Sequence, residues 1–380
     1  MSYQMITQSS QLAEYCRRAT TKPFIAVDTE FVRTRTLYPQ LGLIQLYDGE
    51  QLALVDPLAV EDLSKLTELL VNPSVVKVLH SCSEDLETFW TAMQVIPTPL
   101  FDTQFAAGLL NLGTSLGYAK IVEQRLGVSL DKGESRTDWL ARPLSEQQLD
   151  YAANDVLYLH GLYPELAKEV DALGRTQWIY DEMNQLANKK RSELPDEYAY
   201  LNIKNNWQLK GKALLVLKEL ASWRQQKAKS KNLALNFVFK EQFLVELAKR
   251  QPSQKNALFA TPGIPPQDVR RHGDELLAII QRCQVIDSEH YPAKIERLVD
   301  FSAYKRVSQS IRQLCEEIAG GLSLPVEMLG SKKQINQLLK WLWFDLEEGK
   351  LTSLKPDLLC GWRGPLLKDG LSQIVGAIEP

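Results

Sequence analysis

Long hydrophobic runs are missing from this sequence. No stretch of about 18 uncharged apolar residues occurs, so the sequence predicts no membrane-spanning helix. The first ten residues also lack the basic start and apolar run of a secretory signal. From these two absences we expect a soluble, cytoplasmic protein that works away from membranes.

Cysteine is also sparse. The five cysteines are scattered, and none forms the C-x-x-C pair that is common among zinc ligands and redox pairs. An odd, dispersed set argues against a disulfide framework and against a zinc site. We therefore expect reduced thiols at Cys16, Cys82, Cys283, Cys315 and Cys360.

Charge is nearly balanced over the whole chain but uneven along it. The 380 residues carry a formal net charge of −3, and 44% are hydrophobic, which excludes a disordered or collagen-like chain. Residues 201–285 contain fifteen Lys and Arg against six Asp and Glu. An acidic part joined to a basic part suits a metal-dependent active site beside a surface that binds a polyanion. An ordinary scatter of solvated charges is the alternative.

Apolar periodicity divides the chain into three parts. Residues 1–190 alternate short apolar runs with amphipathic segments, which predicts a mixed α/β sheet layered with helices. The predicted strands are 24–27, 43–47, 52–55, 75–79 and 99–101, and the predicted helices are 11–19, 62–71, 83–93, 103–110 and 145–169. Periodicity fades over 189–206, which predicts a linker. Two all-helical domains are expected to follow, at 207–289 and 290–380.

Acidic residues stand where predicted elements end or begin. Asp28 and Glu30 follow the apolar strand 24–27 at alternate positions, so they should project from one face. Two like charges 4 Å apart repel by about 4 kcal/mol at an effective dielectric constant of about 20, so a cation must offset them. Asp85 falls in the first turn of the helix after strand 75–79, where the helix dipole alone would favour an acid.

The long predicted helix carries a third polar pair. Tyr151 and Asp155 are four residues apart, so they lie on one face of the helix. Ser145, with Gln148 three residues later, predicts a capping box at its start. Taken alone, each of these motifs has a structural explanation as solvated acids, a helix-dipole contact or a packed tyrosine.

Together the motifs resemble those of the DEDD superfamily of 3′→5′ exonucleases, in the subgroup with a tyrosine in the third motif. The matching positions are Asp28 and Glu30 in the first motif, Asp85 in the second, and Tyr151 and Asp155 in the third. Residues 131–132 and 137–144, which lead into Tyr151, are similar to the ribonuclease D family in particular. The resemblance covers residues 1–170 and implies an RNase H-like α/β fold with these five residues as the catalytic set.

The C-terminal half resembles the helicase-and-RNase-D C-terminal (HRDC) domain. Residues 207–211, Trp223 with Arg224, and residues 236–239 carry this resemblance. The last ninety residues, with 361–364, are similar to a second, more degenerate copy.

The resemblance implies two divalent ions in the active site, Mg²⁺ or Mn²⁺, held by the four acids. Hard oxygen donors suit these ions and disfavour zinc. We expect Asp28 to bridge both ions, Glu30 and Asp155 to complete the site of the ion that binds water, and Asp85 to act through the outer shell or the second ion. A phenol with a pKa near 10 is protonated at neutral pH, so Tyr151 should orient the attacking water.

Two other polar residues are expected to be structural. His80 precedes the second motif at a strand end, where a structural hydrogen bond is a better interpretation than catalysis. Asp102 precedes a predicted helix and should cap it.

Basic side chains of the first helical domain are expected to neutralise RNA phosphates, giving affinity without sequence specificity. They are Lys210, Lys212, Arg224, Lys227, Lys229 and Lys231. Trp207, Trp223 and Phe237 could stack on bases, but we expect them to form the core of the domain.

Together with the resemblance, these features predict a metal-dependent exoribonuclease that removes nucleotides from the 3′ end of RNA. The resemblance implies that it releases 5′-monophosphates, and we expect a monomer. The resemblance implies tRNA precursors and other small structured RNAs as substrates. A DNA exonuclease stays open because the four acids do not identify the sugar. A nucleic-acid binding protein with relic acids is a further alternative.

Overall fold

A six-stranded sheet forms the centre of the N-terminal region. The computed structural model describes residues 2–130, 133–134 and 137–376, so residues 131–132 of the sequence resemblance lie outside it. The strands are β1 (Gln4–Ile6), β2 (Phe24–Val32), β3 (Gln40–Tyr47), β4 (Leu52–Val55), β5 (Val76–Leu79) and β6 (Leu100–Asp102). Their order across the sheet is β1-β4-β3-β2-β5-β6. β3 is antiparallel to β2 and β4, whereas the other neighbours are parallel, which confirms the predicted mixed sheet.

Helices pack against the strands of this sheet. In the described part of the N-terminal region they are α1 (Ser9–Ala19), α2 (Ser64–Leu70), α3 (Ser83–Met93), α4 (Thr103–Leu109), α5 (Tyr118–Leu126), α6 (Glu146–Ala172) and α7 (Thr176–Arg191). The sequence analysis did not anticipate β1, α5 or the separate helix α7. These are short or follow another helix closely, so their periodicity is weak.

Helix α6 lies across β2, β3 and β4 and brings the third motif to the sheet. It begins as predicted. The Ser145 hydroxyl accepts a hydrogen bond from the Gln148 amide at 3.1 Å, and the Gln148 side chain accepts one from the Ser145 amide at 3.0 Å. Ala152 and Ala153 are fully buried, and their small side chains let the helix approach the strands closely.

The first helical region has a hydrophobic core of its own. Its helices are α8 (Gly211–Lys231), α9 (Leu235–Val238), α10 (Glu241–Arg250), α11 (Lys255–Phe259) and α12 (Pro266–Gln284). The prediction of a linker at 189–206 was wrong for much of that segment. α7 continues to Arg191, and a 3₁₀ helix at Asp196–Asn202 places Tyr200 in the core of this region. Periodicity is faint there because a 3₁₀ turn does not repeat every 3.6 residues.

The second helical region shares its core with the N-terminal region. Its helices are α13 (Tyr304–Gly321), α14 (Val326–Leu329), α15 (Lys332–Trp343), α16 (Glu348–Thr352) and α17 (Arg363–Val375). Trp362 stacks on Trp178 of α7 with ring centroids 4.7 Å apart, and its indole nitrogen donates to Glu182 at 3.0 Å. Arg363 also pairs with Glu182. These contacts hold the start of α17 against α7.

Across the described residues, no helix is both long and apolar enough to cross a membrane.

Candidate active site

Three carboxylates meet above β2. Asp28 and Glu30 point from one face of β2, and Asp155 of α6 reaches them from above. One oxygen of each carboxylate lies within 4.8 Å of one from each of the other two. Carboxylate oxygens at this separation form the donor set that Mg²⁺ and Mn²⁺ prefer. The residues therefore fit a hard divalent cation.

Burial and mutual repulsion disfavour ionisation of this cluster in the metal-free protein. Burial, and to a lesser extent the carboxylates of Asp155 and Asp85, raise the pKa of Glu30 to about 9. Burial and Asp85 raise the pKa of Asp155 to about 8. The pKa of Asp28 is also well above its usual range, through burial and then its acidic neighbours. A bound cation would reverse this by favouring the ionised forms.

Asp85 lies beside the three carboxylates rather than among them. It stands in the first turn of α3, as predicted, and only 7% of its surface is exposed. The Thr29 hydroxyl donates a hydrogen bond to it from the opposite face of β2. Burial raises the pKa of Asp85 to about 7 although this hydrogen bond lowers it.

Tyr151 borders an open cleft next to the carboxylates. The cleft has a volume of about 350 Å³, large enough for a small ligand. Its lining residues include Gln147, Asp150, Tyr151, Asn154 and Asp155. Burial and the nearby Asp155, Glu30 and Asp28 carboxylates raise the pKa of Tyr151. The phenol therefore carries its proton at neutral pH, as the sequence analysis expected.

Residues 137–144 brace Tyr151 from the other side. The buried ring of Trp139 lies 6.2 Å from the Tyr151 ring, measured between centroids. Arg142 holds this segment to the sheet through two hydrogen bonds of 2.7 Å to the Asp56 carboxylate and one of 2.7 Å to the Gly42 carbonyl. Bidentate arginine–carboxylate pairs fix orientation as well as distance.

His80 and Asp102 have the structural roles predicted for them. The Asp102 side chain accepts hydrogen bonds from the Gln104 and Phe105 amides and so caps α4. His80 forms a hydrogen bond of 2.9 Å between Nδ1 and the Thr103 hydroxyl.

Two polar residues near the carboxylates were missed by the sequence analysis. Gln45 of β3 stands directly opposite Asp28 in the strand register and is fully buried. Neither atom of its amide has a hydrogen-bond partner among the described residues. The Tyr118 hydroxyl of α5 donates to the backbone carbonyl of Asn154 at 3.0 Å and also bonds that of Asp155. Gln45 was visible as a lone amide in an apolar strand, whereas Tyr118 had no local signal.

The basic residues predicted to bind RNA differ in accessibility. Arg224 is a correction to that prediction, because it is only 4% exposed and donates to the Phe239 carbonyl inside the first helical region. Lys227 and Lys229 form ion pairs of 2.7 Å with Glu275 and Glu193. Lys212 bonds a carbonyl of Gln284 at 3.1 Å. Lys210 and Lys231 are exposed and have no ion pair within the described part of the chain.

The three aromatic residues singled out in the first helical region also differ in burial. Trp223 packs edge-on against Phe239 and His272, which confirms its core role. The same prediction was wrong for Phe237, whose surface is 51% exposed, and for Trp207, whose surface is 37% exposed.

Three family models match successive parts of the chain. A 3′-5′ exonuclease model matches residues 3–171, an HRDC domain model matches residues 213–280, and a model described as the ribonuclease D C-terminal HRDC domain matches residues 302–371.

Known proteins resemble the chain over nearly its full length. A curated protein named ribonuclease D from Shewanella sp. (strain ANA-3) is 44% identical over 98% of this chain and 94% of its own length. Ribonuclease D of Escherichia coli (strain K12) is 42% identical over 99% of each chain. The crystal structure of Escherichia coli RNase D, described as an exoribonuclease involved in structured RNA processing, aligns with a TM-score of 0.92 at 41% identity over 98% of each chain.

Proposed function

Since the chain belongs to the ribonuclease D family and is a 3′-5′ exoribonuclease, we propose that it trims the 3′ ends of tRNA precursors by two-metal catalysis. The observation that supports this proposal most is the meeting of three carboxylates within 4.8 Å beside an open cleft. In this proposal the exonuclease domain spans residues 1–190, and two HRDC domains span 207–289 and 290–380.

We assign the carboxylates distinct roles in holding Mg²⁺ or Mn²⁺. Asp28 would help to hold both ions, while Glu30 and Asp155 would complete the site of the ion that binds water. Asp85 would act from the side, because Thr29 already occupies one of its oxygens. When bound, two such ions supply an acidified water and stabilise the leaving oxygen.

The reaction is a hydrolysis of the last phosphodiester bond. The water oxygen forms a bond to phosphorus, and the bond from phosphorus to the 3′ oxygen of the penultimate nucleotide breaks. That oxygen takes a proton, so the products are a nucleoside 5′-monophosphate and an RNA shortened by one residue with a free 3′ hydroxyl. Tyr151 keeps its proton and orients the water through its hydroxyl, while Trp139 holds the phenol ring in place.

RNA upstream of the 3′ end would contact the basic first helical region. Lys210 and Lys231 are the members of the predicted set most open to phosphates. Such contacts give affinity without sequence readout and weaken steeply as salt rises. We propose that the protein acts as a monomer in the cytoplasm.

The test uses a tRNA with a 3′ extension and a matched single-stranded DNA, both labelled at the 5′ end. Wild type, Asp28→Asn and Asp369→Asn are incubated with Mg²⁺, with Mn²⁺ or with a chelator. Asp369 is an exposed acid on α17 and serves as the matched control. We expect a metal-dependent ladder of RNA products shortening from the 3′ end for wild type and Asp369→Asn, and none for Asp28→Asn. Shortening of the DNA alone, or full activity of Asp28→Asn at ordinary Mg²⁺, would refute the proposal.

A further inference from the structure

An exposed aromatic ring stands on the first helical region near the N-terminal region. Phe237 of α9 is 51% exposed and lies outside the hydrophobic core that its neighbours Val238 and Phe239 help to form. A single exposed phenylalanine is common on protein surfaces, so the groups around Phe237 decide whether it has a role.

The loop after β2, residues 33–39, is fixed against this part of the first helical region. The Ala234 amide donates to the Arg35 carbonyl at 2.8 Å, and the Tyr38 amide donates to Asn232 Oδ1 at 3.1 Å. Leu37 packs against the hydrophobic core of the region. The loop and α9 therefore form one continuous surface.

A cation stands over the exposed ring on this surface. The guanidinium carbon of Arg35 lies 5.7 Å from the centroid of the Phe237 ring. Arg35 is exposed, and no carboxylate pairs with it among residues 2–130, 133–134 and 137–376. The acids that face the neighbouring Tyr38, Glu193 and Asp196, are already paired with Lys229. The charge of Arg35 is therefore available to a ligand.

Along the chain, this surface connects to the active site on one side and to a cavity of mixed charge on the other. Arg35 follows Glu30 by five residues, so their α-carbons lie at most about 18 Å apart, a span of a few nucleotides of single-stranded RNA. On the other side, Asn236 and Lys240 line a cavity of about 730 Å³ together with Lys204, Lys249 and two acids, Glu241 and Glu246.

We propose that Arg35 and Phe237 form a stacking platform for an unpaired base of the RNA a few nucleotides upstream of the 3′ end, with the phosphates beyond it directed towards Lys240. An aromatic face and a guanidinium suit any base, and the exposed Lys240 suits a phosphate. The identity of the ligand as RNA rests on the proposed function, while the platform itself rests on the contacts above.

The first test compares RNA lengths. Fluorescence anisotropy with a chelator present, so that no cleavage occurs, measures the dissociation constants of a trinucleotide and a 12-nucleotide single-stranded RNA. For Phe237→Leu, which keeps an apolar side chain but loses the aromatic face, we expect the affinity gained on lengthening the RNA to shrink by about 5- to 100-fold. Phe237→Trp should retain the gain, and Phe259→Leu, at a phenylalanine 41% exposed on the same region, should behave as wild type.

The second test concerns the cation. Arg35→Gln should weaken binding of the 12-nucleotide RNA and lower the dependence of affinity on salt, whereas Arg271→Gln, at an exposed arginine of α12, should do neither. Wild-type affinity in both Phe237→Leu and Arg35→Gln would overturn the platform, even if wild type degrades RNA. If wild type shortened no RNA at all, the proposed function would fail, while the binding comparison would still decide whether the platform exists.

Discussion

Replacing Asp28 with asparagine should change how the stability of the metal-free protein depends on pH. Asp28 is surrounded by Glu30, Asp85 and Asp155, and burial with these neighbours raises its pKa well above the value in an unfolded chain. The native state therefore holds a proton on this group that the unfolded state has lost above about pH 4. Stability from this group is present below about pH 4 and declines as pH rises towards the native pKa, because the native state binds more protons.

The size of the effect follows from the number of protons involved. One acid that is protonated in the native state and ionised in the unfolded state lowers the free energy of unfolding by about 1.4 kcal/mol per pH unit. The pKa values of about 7 for Asp85 and about 8 for Asp155 bound the useful window to pH 5–7. Between pH 5 and pH 7, Asp28→Asn should therefore make the decline less steep than in wild type, by at most about 1.4 kcal/mol per pH unit.

Urea unfolding of chelator-treated protein at pH 5, 6 and 7 measures this decline, with Asp369→Asn as the control for loss of an exposed acid. Added Mg²⁺ should raise the stability of wild type at pH 7 and raise that of Asp28→Asn less. If wild type and Asp28→Asn lost stability with pH at the same rate, the assignment of a shared, repelling carboxylate cluster would be refuted.

Three further substitutions test the surroundings of the cluster. Tyr151→Phe should lower kcat by about 100-fold and leave RNA affinity within about twofold, because only water orientation is lost; equal losses in single-turnover rate and binding would contradict this role. Arg142→Lys, which cannot form the two parallel bonds to Asp56, should lower kcat by about tenfold and increase proteolysis within residues 137–144, and wild-type values for both would exclude a bracing role. Gln45→Leu should raise the free energy of unfolding by about 1 kcal/mol, since a buried amide without a partner is removed. A variant no more stable than wild type in urea unfolding would contradict this.

The sequence predicted the parts of the site that depend on local chemistry. The Ser145 capping box, the Asp102 cap and the alternate positions of Asp28 and Glu30 each depend on residues a few positions apart, so pattern alone could place them. Their meeting with Asp155 depended on the family resemblance, since no local pattern shows which helix crosses which strand.

Burial in the helical half could not be predicted in the same way. We expected Arg224 to be exposed and Phe237 to be buried, but the structure buries Arg224 and exposes Phe237. On α8 the guanidinium finds a carbonyl of a later segment, and on α9 the short helix points its ring away from the core. Such outcomes depend on contacts between distant segments, and a periodic pattern carries no information about them.

The shared core of the first and last parts of the chain has a consequence for synthesis on the ribosome. Trp178 and Glu182 are made roughly 180 residues before Trp362, which at about 5–20 residues per second is a delay of about 10–40 s. During that interval the surface of α7 that carries Trp178 and Glu182 lacks its partner Trp362. A transcript broken before the codons for α17 would thus yield a protein with all four acids but an unfinished core, a target for quality-control proteases rather than a working nuclease.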